Sequence, residues 1–171
     1  MFEKDVVIKG VHATYIKHLT VTKEEDGLFF RYIDVYLLGS ILGLLHNRKS
    51  QEDNSSKDTA RIFAEVFIKE KSKCEFLYRL VMLHDDAEHY TKEERLDRAF
   101  RDDANEKNVE DNLNIFHSYA LGGIEFLYDK FQNTTTREDM LDSLYSFVNK
   151  FYEDNHVPVT DIDERIHNLI E

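Results

Sequence analysis

Leu28–Leu45, LFFRYIDVYLLGSILGLL, is the most apolar stretch of the 171-residue chain, and its reading decides the fold. Its only charged residues are Arg31 and Asp34. A helix over it is apolar around most of its circumference, which is the pattern of a buried core helix. The uncharged run Val35–Leu45 holds eleven residues, against the roughly 20 that a bilayer requires, so a membrane span is excluded. Asp26 with Gly27 reads as the helix start and the polar run after His46 as its end. Gly39 and Gly43 lie four apart on one face at a cost in helix propensity, so another element is expected to approach the backbone there. That element belongs to the same chain or, in a homodimer, to a second copy; periodicity does not choose between them.

Outward from this stretch the chain reads as amphipathic helices that cover it. Phe2–Lys9 has the alternation of a strand while Val11, Tyr15, Ile16 and Leu19 share a helical face, so strand and helix both remain open there. Arg48–Asp58, RKSQEDNSSKD, has no apolar residue and is expected to be an exposed, mobile loop that tolerates a nick or an insertion. From Thr59 the pattern turns helical, with Phe63, Val66 and Phe67 on one side and Cys74, Leu77, Leu80, Val81 and His84 continuing it. The charged patch Lys69–Lys73 makes this either one bent helix or two. Thr91 and Glu94 form a capping box that opens a short helix through Arg101. Val109, Leu113, Phe116, Ala120, Ile124, Leu127 and Phe131 recur at intervals of three and four, the cleanest helical period in the chain. Gly122 and Gly123 in its middle cost about 2 kcal/mol relative to alanine, which marks a kink or a close crossing against Gly39 and Gly43. A second capping box, Thr135 and Glu138, opens a helix with Leu141, Leu144, Val148 and Phe151 inward. A turn over Asn155–Thr160 and a last short helix over Asp161–Ile170 complete the chain. The expected fold is all-α: a single domain formed by an irregular bundle of at least five helices around the apolar helix at about 28–46, without a sheet, repeat or linker.

Charge and cysteine usage bound the function. The single cysteine, Cys74, excludes an internal disulfide and a cysteine-based zinc cage, and its helical apolar surroundings read as core in a reducing compartment. The N-terminus MFEKDVVIKG lacks the basic start and apolar run of a signal peptide, so the expectation is a cytoplasmic protein. The formal net charge is −12, which argues against binding a nucleic-acid backbone over a broad surface. The acids are unevenly placed. Asp85–Asp111 holds eleven Asp and Glu against five Lys and Arg, and Tyr152–Glu171 six against one. Such a face either keeps the protein soluble or meets a basic partner, with Asp97, Asp102, Asp103 and Glu106 as the partner-binding candidates. The same acids make a nucleic-acid mimic a further alternative.

The sequence has no phosphate-binding glycine loop, no GxSxG and no HExxH, and no motif calls for a cofactor or a metal. The one dense constellation is RLVMLHDDAEH, Arg79–His89. The doublet His84-Asp85 after an apolar helix resembles the signature of the HD phosphohydrolases. The resemblance covers a dozen residues and lacks the glycine that commonly follows the doublet. It implies a divalent metal held by imidazole and carboxylate, with His46 and Asp97 or Asp129 completing the set. Arg79 and His84 also have the R-x4-H spacing of the helical HEPN ribonucleases, to which this stretch is similar apart from the apolar Leu80 after the arginine. That resemblance implies an arginine stabilising phosphate charge and a histidine moving a proton. Under either, Arg79, His84 and Asp85 are the catalytic candidates. Without either, His84, Asp85 and Asp86 simply end a helix, where a histidine suits the terminal carbonyls and acids begin a turn. The remaining histidines are scattered, and His117, inside an apolar helix, reads as a hydrogen-bonded core residue. The reading that follows is a non-enzymatic helical protein, an accessory or adaptor subunit of an intracellular complex, whose partner is another protein.

Overall fold

The computed structural model describes residues 2–23, 26–86, 89–102, 105–134 and 136–155. The fold is all-α, with seven helices and one short two-stranded sheet among these residues. The chain falls into two compact units, Met1–Asn133 and Thr134–Glu171.

In the first unit the N-terminal segment is both strand and helix. β1 (Val6–Lys9) runs directly into α1 (Gly10–His18). The hinge is Gly10, whose φ of +60° is a conformation that costs other residues a clash with their own Cβ. A Cβ there would also overlap the Asp53 carboxylate. β1 pairs antiparallel with β2 (Thr59–Ile62), Val6 opposite Ile62 and Lys9 opposite Thr59. The expected helix at Thr59 is thus a strand: Ala60 and Ile62 are buried while Thr59 and Arg61 are exposed, and this period of two matches a pleated edge.

The apolar stretch forms α2 (Tyr32–Leu45), which starts later than Asp26-Gly27. Residues 27–29 instead turn back on the end of α1, with Leu28 and Phe29 donating their amides to the Leu19 carbonyl. Arg31 precedes the new start, without a side-chain cap, and forks onto Asp34 through Nε and Nη2, at 2.9 and 2.7 Å. Ile33, Val35, Tyr36, Leu37 and Leu42 are buried.

The patch at Lys69–Lys73 separates two helices, α3 (Ala64–Lys69) and α4 (Lys71–His84), at Glu70. α5 (Lys92–Phe100) opens on the expected capping box: the Thr91 hydroxyl accepts from the Glu94 amide and Glu94 accepts from the Thr91 amide. α6 (Glu106–Phe131) is capped by Asn105 and runs unbroken through Gly122 and Gly123. Its most extensive packing is against α2. A Cβ on Gly123 would overlap the Gly39 carbonyl, one on Gly43 the Tyr119 carbonyl, and one on Gly122 the Arg48 carbonyl. The glycines therefore mark a close crossing within the chain rather than a kink. Phe2, Tyr36, Phe67, Tyr78 and Phe116 form an aromatic cluster beside this crossing, with ring centroids 5.6 to 6.3 Å apart. Each fully buried ring of this kind contributes about 1.5–3 kcal/mol. Cys74 is buried in the same core, and burial pushes its thiol pKa up to about 11.

Residues 48–58 are exposed in part but anchored along their length. The Ser50 amide donates to the Ser118 carbonyl at 2.9 Å and the Gly10 amide to the Asp58 carbonyl at 3.0 Å. Asp53 takes the Val11 amide at 2.7 Å, Lys9 reaches Glu52 at 2.9 Å, and Lys17 and Thr14 both reach Asp58. The expected slack loop is a strap, because its polar side chains have polar partners on α1 and α6.

The second unit contains α7 (Arg137–Asn155). Its cap lies one residue later than expected: the Thr136 hydroxyl accepts from the Asp139 amide at 3.1 Å, and Asp139 accepts from the Thr136 amide at 3.2 Å. Thr135 lies outside the described residues. Leu141, Val148 and Phe151, expected inward, are exposed. The expected turn at Asn155–Thr160 and helix at Asp161–Ile170 lie outside the described residues apart from Asn155, the last residue of α7.

Candidate functional site

The constellation Arg79–His89 spans the end of α4 and the turn beyond it, and the fold sends its three candidate catalytic residues in different directions. Asp85 is buried, His84 beside it is exposed, and Arg79 lies with its guanidinium 5.3 Å from the Phe100 ring centroid. Five residues turn a helix by about 140° beyond a full turn, so the R-x4-H pair does not share a face.

Asp85 is the centre of a buried polar cluster. Its Oδ1 accepts from the Tyr119 hydroxyl at 2.8 Å and lies 2.6 Å from Lys49 Nζ. Its Oδ2 accepts from Arg98 Nη2 at 2.8 Å. Arg98 in turn donates from Nε to the Asn112 side-chain Oδ1 at 3.1 Å and lies over Tyr90, 4.3 Å from its centroid. Burial raises the carboxyl pKa, but the three donors outweigh it and hold Asp85 below the ordinary carboxylate value. The Tyr119 hydroxyl is pushed up by its own burial and by the Asp85 carboxylate. The carboxylate is thus ionised and fully engaged. This arrangement ties α4, α5, α6 and the strap together; neither His84 nor Arg79 takes part in it.

A second polar cluster, missed in the sequence, ties the strap to α1 and α6. Glu125 accepts from His12 Nε2 at 2.9 Å, from the Ser50 hydroxyl at 2.5 Å and from Arg48 Nε at 3.1 Å. Arg48 also reaches Asp129 at 2.8 Å. Burial raises the Glu125 pKa, but the donors from Ser50, His12 and Arg48 prevail and lower it. Nearby, the Tyr36 hydroxyl donates to His117 Nδ1 at 3.1 Å, as expected of a core histidine, and burial lowers the His117 pKa. Among the described residues no group of three His, Cys, Asp or Glu side chains is arranged to hold a metal ion.

The open face of this region is a groove of about 380 Å³ between α4 and α5. Phe76, Leu80, Leu83 and Phe100 supply its apolar lining, with Arg79 between them. Phe76 and Phe100 are 65% and 49% exposed, so the apolar lining stands open to water. Arg79 Nε is buried without a hydrogen-bond partner. Of the residues on the α4 side of the groove, the sequence reading places only Leu80 on the apolar face and singles out Arg79 for its spacing to His84; it misses Phe76 and Leu83. Of the partner-binding candidates, Asp97 pairs with Arg101 at 2.6 Å, Asp102 accepts from the Asn108 side chain at 3.0 Å, and Glu106 is exposed at the start of α6. Asp103 lies outside the described residues.

These features define a helical protein that presents an apolar groove beside an acidic segment. The chain belongs to the family described as DNA sulphur modification system-associated protein 4, whose family model matches residues 8–164. No curated protein and no solved structure matches it. Among the described residues no helix is long and apolar enough to cross a membrane.

Proposed function

We propose that the chain is a non-enzymatic accessory subunit of a DNA sulphur modification system and works in the cytoplasm by binding another protein of that system. Family membership supports the setting. The observation that carries the mode of action is the contrast between Asp85 and the groove. The one carboxylate of the candidate catalytic set is held by Lys49, Arg98 and Tyr119, while aromatic side chains stand open to water a few residues away. A hydrolase would use Asp85 as a ligand or base; an adaptor uses it as a structural pin. Asp97, Asp102, Asp103 and Glu106 are the acids proposed to meet basic residues of the same partner, apart from the groove.

The test is retention of the system's own proteins on the tagged full-length chain, expressed in its native cell and purified at low salt. The expected result is one component of the modification system held in stoichiometric amount, and weakened when Asp97, Asp102 and Glu106 are changed to Lys. A chain that comes out alone, and that hydrolyses RNA or nucleotides in a manner abolished by His84→Ala, overturns the reading.

A further inference from the structure

We infer that the α4–α5 groove docks an acidic amphipathic segment of a partner protein, with aliphatic side chains against Phe76, Leu80, Leu83 and Phe100 and a carboxylate on Arg79. The inference rests on the accessory-subunit reading above and names what that subunit binds.

Arg79 carries the argument. Among the described residues it is the one arginine that makes no hydrogen bond or ion pair, although the chain has 34 acidic residues against 22 basic ones. Glu75, one turn away and also in the groove wall, faces Lys71 instead, at 3.7 Å. The Arg79 guanidinium carbon lies 5.3 Å from the Phe100 ring centroid, a cation–π contact that does not occupy its N–H donors.

Local charge points the same way. In a chain of net charge −12, the segment Lys69–Leu83 holds Lys69, Lys71, Lys73 and Arg79 against Glu70 and Glu75, and Glu70 is already bound by Arg31 at 2.6 Å. Lys71 and Lys73 flank Ser72, which lines the groove, and their side chains are 66% and 53% exposed. Lys71 and Lys73 already face Glu75 and Glu70, which leaves Arg79 as the unpaired charge in the lining of an apolar groove. An amphipathic helix with aliphatic residues at intervals of three and four and an acid between them complements it. An arginine beside an aromatic ring and aliphatic side chains is also the composition of an interface hot spot.

The experiment places a photo-cross-linking phenylalanine derivative at Phe76 of the full chain and presents it with each purified protein of the DNA sulphur modification system and with a DNA duplex. The expected result is a cross-link to one protein, in a segment with an acidic residue among aliphatic ones. Arg79→Glu should then weaken binding at least tenfold without moving the melting temperature, and changing the mapped acid to Arg should restore it. Phe76→Asp, at a position 65% exposed and so without consequence for the core, should weaken binding equally. Retention of the partner by both variants overturns the groove while leaving the accessory role standing. A cross-link to DNA, to a second copy or to residues 156–171 of the chain itself overturns the assignment of the occupant. If no protein of the system binds the unsubstituted chain, both readings fall.

Discussion

Asp85 Oδ2 and Arg98 Nη2 meet at 2.8 Å with both side chains at least nine-tenths buried, joining the end of α4 to the last turn of α5. Burying two charges costs several kcal/mol per ion, and Lys49, Tyr119 and Asn112 offset part of this by adding hydrogen bonds to the pair, although Arg98 Nη1 is left without a partner. Removing one partner is therefore expected to cost on the order of 3–5 kcal/mol. Asp85→Ala and Arg98→Met should each lower the urea midpoint by that equivalent, and the double variant should cost clearly less than the sum. Strict additivity in this cycle would show that the two residues act independently.

Acidification is expected to destabilise the protein in two stages. His117 is neutral and buried, with its pKa below the ordinary value, so the unfolded chain takes up the proton first. Its contribution is intact above about pH 6.5 and declines as the pH falls below that. Asp85 and Glu125 have depressed carboxyl pKa values, so theirs is intact above about pH 4 and lost below it. Melting temperatures from pH 8 to pH 3 should show both declines; His117→Gln should flatten the first and Asp85→Asn the second. A flat profile between pH 7 and 5 would contradict the His117 assignment.

Gly123→Ala tests which effect governs the α2–α6 crossing. Alanine gains about 1 kcal/mol of helix propensity, but its Cβ overlaps the Gly39 carbonyl, and overpacking against backbone costs about 1–3 kcal/mol or more. The expected outcome is a net loss in stability by calorimetry. A rise in melting temperature would mean that α2 and α6 separate freely.

Thr91→Ala removes the hydroxyl that accepts from the Glu94 amide at 3.2 Å. A lost cap of this type costs about 1 kcal/mol. The loss should be local, seen as faster amide exchange in the first turn of α5 with little change in α6. Uniform acceleration across both helices would show that α5 does not open alone.

The parts of the fold that local chemistry determines were readable before the structure. The period of α6 and the Thr91–Glu94 cap depend on residues within one or two turns, and both stand where the sequence puts them. Helix type was legible; partners were not. The polar composition of residues 48–58 suggested slack chain, yet Asp53, Asp58 and Ser50 are polar because their acceptors and donors lie more than 40 residues away. β2 was hidden because four residues, TARI, are too few to establish a period against the helical pattern that follows. In the site, Asp85 stood out from its neighbours in sequence, but Lys49, Arg98 and Tyr119, which decide its role, come from three other segments. Arg79 was singled out for its spacing to His84; that it pairs with no acid among the described residues is a property only of the folded chain.

The α2–α6 crossing joins Gly39 to Gly123, roughly 80 residues further along, and so sets a schedule for synthesis. At about 5–20 residues per second, the most apolar helix of the protein waits some 4–16 seconds on the ribosome before its cover emerges. During that interval Val35–Leu45 is a sticky, uncharged segment on a nascent chain. Prematurely ended products that stop short of Phe131 would carry α2 without its whole cover, so they fall to chaperones or proteases rather than accumulating as smaller folded forms. Nascent chains stalled at residue 100 should accordingly be captured by a general holdase, and chains stalled well past residue 133 should escape it.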